Sequence, residues 1–170
     1  MSSAFKDKLR KIRETSAKRS EVQLRLRSDE DLQRSARTVH AFEFREGIEA
    51  VIEDFAKNLQ SEVPGFVLTR GFFEGKYMLA LRLDEELRDD QGRPQRAFSR
   101  LMFLLDPHAD DGRFVVQAKK TIRNRDLETT STTGTMSPEG QAEFARFVEA
   151  QYLDFAESYF GEPKPTGVPN

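Results

Sequence analysis

The pattern of apolar and polar positions changes its period twice along this chain, from helical to extended and back to helical. Between residues 42 and 61 the apolar positions recur once per helical turn and predict one helix; its stripe comprises Phe44, Ile48, Val51, Ile52, Phe55 and Leu59. Pro64 and Gly65 predict its end. From residue 138 onward a second helical stripe comprises Phe144, Phe147, Val148, Gln151, Phe155 and Tyr159. Ser137 suits the N-cap of this closing helix and Gly161 suits its end.

The first forty residues carry a weaker pattern. Phe5, Leu9 and Ile12 follow helical spacing, whereas residues 21–27 alternate and fit either a helix or a strand. Ser28 followed by three acidic residues predicts a helix start. That next stripe comprises Leu32, Ala36 and Val39. On one continuous helix it would lie nearly opposite the stripe of residues 44–59, so we expect a break near residues 40–43.

Between the two helical regions the apolar positions alternate with a period of two, which predicts strands. Five segments show it: 66–73, 76–87, 95–105, 113–123 and 127–135. Glu74 and Gly75 predict a tight hairpin between the first two, and the third segment is apolar on both faces, so it should be central. The prediction is an α+β fold, an antiparallel five-stranded meander with two helices packed on one face, preceded by a helical N-terminal arm. The boundaries are residues 1–40 for the basic arm, 41–161 for the α+β domain and 162–170 for a disordered tail.

The strand parity also predicts which side chains lie on the sheet face away from the helices. Basic and apolar side chains alternate there, a composition typical of protein interfaces. A face covered by the N-terminal helices, residues 1–40, would have the same composition. Sheets that hold single-stranded RNA have a related composition, but the aromatic signature of the common RNA-binding sheet is missing. The predicted partner-binding residues are Lys76, Met78, Arg82, Phe98, Arg100, Met102, Lys119 and Arg123.

Charge is segregated along the chain, although the 27 basic and 29 acidic residues nearly cancel. Residues 1–40 carry eleven Lys and Arg against six Asp and Glu, a net charge of +5. Residues 41–64 carry two against six and residues 137–160 one against five, so each segment has a net charge of −4. A basic arm of this kind is compatible with an anionic partner, but a third of the chain is charged and a solvated mixed-charge arm explains it better.

Residues able to carry chemistry are few. The chain has no Cys and two histidines, His40 and His108, and no nucleophile or phosphate-loop motif accompanies them. The segment 106–112 begins like a Ca²⁺ loop, but Gly112 comes one place late and Gln117 stands where the closing Glu belongs. A turn explains these residues better. We therefore predict no catalytic residue, no bound metal and no cofactor.

These observations favour a non-catalytic binding or adaptor protein that engages a protein partner, or a second copy of itself, through the outer sheet face. The alternative is a nucleic-acid-associated protein that uses the basic arm and the basic sheet face, and an enzyme of unknown class ranks third. The chain contains no apolar run near the ~18 residues that a spanning helix needs, and its N-terminus lacks the apolar core of a secretory signal. The expected location is the cytoplasm, without a membrane partner.

Overall fold

The computed structural model of the protein describes residues 3–161, so the predicted disordered tail, residues 162–170, lies outside the described residues. The elements in chain order are α1 (Ser3–Glu62), β1 (Val67–Phe73), β2 (Lys76–Arg88), β3 (Pro94–His108), β4 (Arg113–Ile122), β5 (Arg125–Asp126), β6 (Thr130–Thr135) and α2 (Pro138–Gly161). The chain divides into two compact units, residues 1–39 and residues 40–170.

In the first unit, residues 3–39 are helical throughout and every residue is exposed. Residues 21–27 are therefore helix rather than strand. The predicted break near residues 40–43 is wrong, because α1 runs through them without interruption. Two physical reasons explain this: residues 3–46 contain no Gly or Pro, and the stripe of residues 32–39 is exposed, so it need not share a face with the stripe that is buried.

The second unit has the predicted α+β architecture. Its sheet is antiparallel with strand order β1-β2-β3-β4, and both β5 and β6 pair with β4. The fifth predicted strand, 127–135, corresponds to β6, and β5 is an additional two-residue strand that precedes it beside the same neighbour. Glu74 and Gly75 form the hairpin between β1 and β2 with positive φ values of 52° and 76°, the conformation that a tight two-residue turn requires.

Both helices pack on one face of this sheet, which we call the inner face. The buried residues of α1 and α2 form one cluster with alternate residues of β2, β3 and β4, including Leu81, Phe103 and Val116. The rings of Phe44, Phe114 and Phe144 join the two helices to β4, with centroid separations of 5.2 to 5.9 Å. A fully buried aromatic side chain contributes about 1.5–3 kcal/mol through the hydrophobic effect, so this cluster fixes the helices on the inner face.

Polar contacts join α1 to α2 and to the segment that precedes α2. The Tyr152 hydroxyl donates to the Ile52 carbonyl at 2.9 Å. His40 Nε2 donates to the Met136 carbonyl at 2.8 Å. Across residues 3–161 neither helix combines the length and the apolar character needed to cross a bilayer.

Candidate functional site

The strand register decides which predicted residues share the outer face, the sheet face opposite α2 and residues 40–62 of α1. Arg82 lies beside Arg100, and Ala80 lies beside Met102, which in turn lies beside Lys119. Met78 follows in the next row, opposite Leu104. The structure therefore brings Lys76, Met78, Arg82, Phe98, Arg100, Met102 and Lys119 onto the outer face.

The centre of the outer face is apolar. Ala80, Met102 and Leu104 form a second buried cluster, separate from the main core, with Met78 packed against it. Met102 is only 1% exposed, although both helical segments of residues 40–161 lie on the other face. Met78 packs against the cluster, and Arg100 and Lys119 occupy neighbouring positions on the same face, where long basic side chains commonly cover apolar surface. Met102 thus lies beneath the contact surface, and Met78 is the more accessible methionine.

Two arginine guanidinium groups stand over the ring of Phe98 beside this cluster. The Arg82 guanidinium stands 4.2 Å from the Phe98 ring centroid, and the Arg100 guanidinium stands 5.6 Å from it. Arg82 also donates to Asp84 through Nε at 3.2 Å and through Nη2 at 2.9 Å. The hydrogen bond from Arg82 holds the pKa of the Asp84 carboxyl below its usual range. The stack is therefore preformed, because cation–π and ion-pair contacts fix Arg82 from two sides.

Arg100 contains a buried hydrogen-bond donor that has no partner among the described residues. This donor is its Nε atom. On the other side of the apolar centre, the Lys119 ammonium stands 5.1 Å from the Phe73 ring centroid. Buried donors without partners cost about 1–3 kcal/mol, so the Arg100 Nε atom lowers the stability of this surface.

The predicted place of Arg123 on the outer face is wrong. Arg123 lies on the inner side, where its Nε atom is 3.5 Å from Glu85 Oε2 and its guanidinium stands 5.0 Å from the Tyr159 ring centroid. Strand alternation fails because β4 ends at Ile122, and Arg123 and Asn124 both adopt positive φ values. Asn124 is the sequence signal that could have marked this reversal, since Asn is one of the few residues that tolerate that conformation.

The inner face of β4 contains a charged residue that the apolar alternation did not reveal. Lys120 is buried, and its Nζ atom donates to the Asp154 carboxylate of α2. Tyr159 of the same helix donates to Glu85 at 2.8 Å. Both pairs run between the sheet and α2, so they hold α2 against the sheet rather than offer a binding surface.

The other residues that could carry chemistry each contact a neighbouring side chain or backbone group. His40 donates to a backbone carbonyl, and His108 lies 3.4 Å from Asp106. Asp111 accepts from the backbone N–H and the Nε atom of Arg113, and the first of these bonds is the main reason that the pKa of its carboxyl lies below its usual range. Across residues 3–161 no three His, Asp or Glu side chains gather in an arrangement that could hold a metal ion.

The chain matches none of the protein-family models, curated proteins and solved structures with which it was compared.

Proposed function

We propose that this protein is a non-catalytic binding or adaptor protein, acting in the cytoplasm, whose outer sheet face engages a protein partner. The observation that carries the proposal is the second apolar cluster on a sheet face that no helix of residues 40–161 covers. A soluble domain needs one core only, and a sheet facing water usually carries polar side chains on that side. An apolar centre with a cationic and aromatic rim has the composition of an interface instead.

The rim is suited to protein recognition because its longest side chains are already positioned. Arg82 and Arg100 both stack on Phe98. Ordering a free arginine at an interface costs about 0.5–1.5 kcal/mol, and a stacked arginine avoids much of that cost. Arginine and aromatic residues also dominate the energetic centres of protein interfaces. Phe98 and its two arginines are therefore the expected anchor.

The charge pattern favours a protein partner over nucleic acid. The carboxylate of Asp84 already pairs with Arg82. Asp126, which accepts from Thr121 at 2.8 Å, adds a second carboxylate at the end of the strand row that contains both arginines. A phosphate backbone would meet these anions as well as the cations, whereas a protein surface can supply donors to them.

The test compares binding by variants that differ in one surface position. Phe98→Ala removes the platform under both arginines, and Leu153→Ala, at a 65% exposed position of α2, is the matched control. Proteins retained from a lysate of the source cells are identified by mass spectrometry, and the affinity of each purified partner is then measured. We expect a partner bound by the wild type and by Leu153→Ala but at least about tenfold more weakly by Phe98→Ala, a loss of about 1.4 kcal/mol. Equal retention by both variants would contradict the use of this face.

Salt dependence separates this proposal from the nucleic-acid alternative. Four phosphate contacts, to Lys76, Arg82, Arg100 and Lys119, would give a log–log slope of affinity against salt of roughly −3, at about 0.7–0.9 per phosphate. We expect little binding to a random single-stranded oligonucleotide at about 150 mM salt. Tight oligonucleotide binding with the steep slope, lost on Arg100→Glu with Lys119→Glu, would establish the alternative instead.

A further inference from the structure

The two edges of the sheet differ in chemistry. In the described part of the second unit, β1 pairs with β2 alone and so forms one edge. The opposite edge is formed by β5 and β6. The sequence of β5 is Arg-Asp, and that of β6 is Thr-Ser-Thr-Thr-Gly-Thr. Short length and polar side chains are how proteins prevent edge strands from pairing with other chains. The β5 and β6 edge carries only polar side chains and one glycine, whereas four of the seven residues of β1 are large and apolar.

The β1 edge is apolar and exposed. Its sequence is Val-Leu-Thr-Arg-Gly-Phe-Phe, without proline. Val67 is 59% exposed, Phe72 is 69% exposed and Phe73 is 37% exposed. Its single charged residue, Arg70, forms ion pairs with Glu49 and Glu53 of α1. The charge that would otherwise discourage pairing is thus neutralised on the inner side.

The order of residues along β1 is self-complementary when the strand is reversed. If two copies pair antiparallel about a twofold axis at Arg70, Val67 lies opposite Phe73 of the other copy and Leu68 lies opposite Phe72. All three exposed apolar side chains of the strand then gain apolar cross-strand neighbours, the contacts that stabilise antiparallel pairs. Gly71, which has no side chain, lies opposite Thr69. A one-residue shift would place each apolar side chain on the wrong face of its neighbour.

Charge is balanced at this axis. Arg45, like Arg70, forms an ion pair with Glu49, at 3.8 Å. Each copy therefore brings Arg45, Arg70, Glu49 and Glu53, two cations and two anions. The two Arg70 side chains would meet across the axis with carboxylates beside both, so that each guanidinium has anions available from either copy.

From this edge we propose that the protein forms a symmetric homodimer in which two β1 strands pair and join the two sheets into one continuous sheet. One pair of seven-residue strands is a small interface compared with the ~1,000 Å² in total that a specific interface needs. We therefore expect a weak dimer, with a dissociation constant in the micromolar range. The proposal concerns the edge of the sheet and does not rest on the function proposed for the outer face, which stays accessible in the dimer.

The absence of cysteine from the chain makes the register testable. Residues directly opposite across an antiparallel pair have Cα atoms about 4.5–5.5 Å apart, within the span of a disulfide. Arg70→Cys should give a covalent dimer under mild oxidation, and so should Val67→Cys with Phe73→Cys, which keeps Arg70 and its ion pairs. Ser131→Cys, in the middle of β6, is the matched control and should stay monomeric on a denaturing gel.

Sedimentation of the full chain between about 1 and 200 µM measures the equilibrium. We expect a concentration-dependent monomer–dimer equilibrium for the wild type and for Leu153→Lys. We expect at least about a tenfold weaker dimer for Phe72→Lys, because the lysine replaces the apolar contact with Leu68 of the other copy and lies diagonal to its Arg70. Circular dichroism verifies that each variant is folded. A wild type that stays monomeric throughout, a dimer unaffected by Phe72→Lys, or equal cross-linking of Ser131→Cys would overturn the proposal.

Discussion

The side chain of Lys120 is 3% exposed, yet it carries a charge between the sheet and α2. Its ammonium donates to Asp154, whose own side chain is 59% exposed. Asp154 therefore connects a buried cation to solvent. Burial of an ion is costly and a partner at hydrogen-bond distance offsets that cost, so the two residues should depend on each other energetically.

This dependence predicts an asymmetric result. Asp154→Ala leaves the buried ammonium without its anion and should destabilise the protein by about 1–3 kcal/mol, less than a fully enclosed pair because Asp154 is partly solvated. Lys120→Met keeps the volume and removes the charge, so the free energy of unfolding should change little or rise. In the double variant the Asp154→Ala substitution should cost almost nothing. Urea unfolding of the four proteins measures the cycle, and additive effects would contradict the coupling.

Tyr159 gives the fold a pH dependence on the alkaline side. Burial, followed by the hydrogen bond to Glu85, raises its pKa to about 12 from the ordinary value of 10.0. The folded protein therefore keeps the proton between these pH values, whereas the unfolded chain loses it. The stabilisation is fully present below about pH 10 and is lost as the pH rises towards 12.

Tyr159→Phe tests this effect. The variant should be less stable at neutral pH, because the hydrogen bond to Glu85 is lost, but its stability should fall less steeply than that of the wild type between about pH 10 and 12. Urea midpoints at several pH values measure the two slopes. Burial also raises the pKa of Tyr152, but that contribution is common to both proteins and cancels in the comparison. Parallel slopes would show that Tyr159 ionises normally in the folded state.

At the scale of single residues, the alternation of side chains along a strand predicted the correct sheet face where strands were regular, and it failed where a strand ended. Alternation placed Met78, Arg82 and Lys119 on the outer face correctly, because a period of two leaves no other choice within a paired strand. It misplaced Arg123, since two positive φ values follow Ile122. Lys120 has the parity of a core residue and the chemistry of a surface residue, and the partner that permits its burial lies 34 positions away.

At the scale of elements, the helices and strands could be predicted from periodicity, whereas the length of α1 could not. The apolar stripes of α1 and α2 are long and regular, so tertiary packing and local pattern agree. The prediction of a break in α1 rested on the assumption that every apolar residue of the helix is buried. Leu32 and Val39 are exposed instead, and helix-forming residues continue the backbone past residue 40 without a stop signal.

The start of α2 shows how packing can override helix propensity. The Ser137 hydroxyl accepts from the Gly140 N–H at 3.1 Å and caps the helix. A Cβ atom at Gly140 would lie 1.8 Å from the Thr135 carbonyl oxygen. The first turn of α2 therefore lies directly against the end of β6, and only glycine fits there.

Gly140→Ala should consequently destabilise the protein, although alanine in a helix is favoured over glycine by about 0.8–1.0 kcal/mol. The matched control is Gly161→Ala at the other end of the helix, where a Cβ atom meets nothing within 4 Å. Thermal unfolding should show a lower midpoint for the first variant and no loss for the second. An unchanged midpoint for Gly140→Ala would mean that β6 and α2 separate easily.

At the scale of the whole molecule, burial is confined to the second unit. Among the described residues the first buried one is Ala41 and the last is Tyr159. Residues 3–39 are exposed throughout, and their apolar side chains after Ile12, such as Val22, Leu24 and Leu32, point around the helix rather than along one stripe. Such a helix depends on propensity and on pairs such as Glu21 with Arg25 at 2.9 Å, which contribute about 0.2–0.5 kcal/mol each.

Removal of residues 1–39 should leave the second unit folded. Because none of residues 3–39 is buried, the remaining chain should keep the free energy of unfolding of the intact protein within about 0.5 kcal/mol. Its helical circular dichroism should fall by the share of helical residues removed, 37 of the 84 in α1 and α2. The slope of unfolding against urea should change little, since that slope follows the buried surface exposed on unfolding. The net charge should fall by the five positive charges of the arm, from −2 to −7. A large loss of stability would show that the exposed residues 3–39 stabilise the buried part of α1. Helix propagation from residue 39 into that part would then contribute to the folding of the second unit.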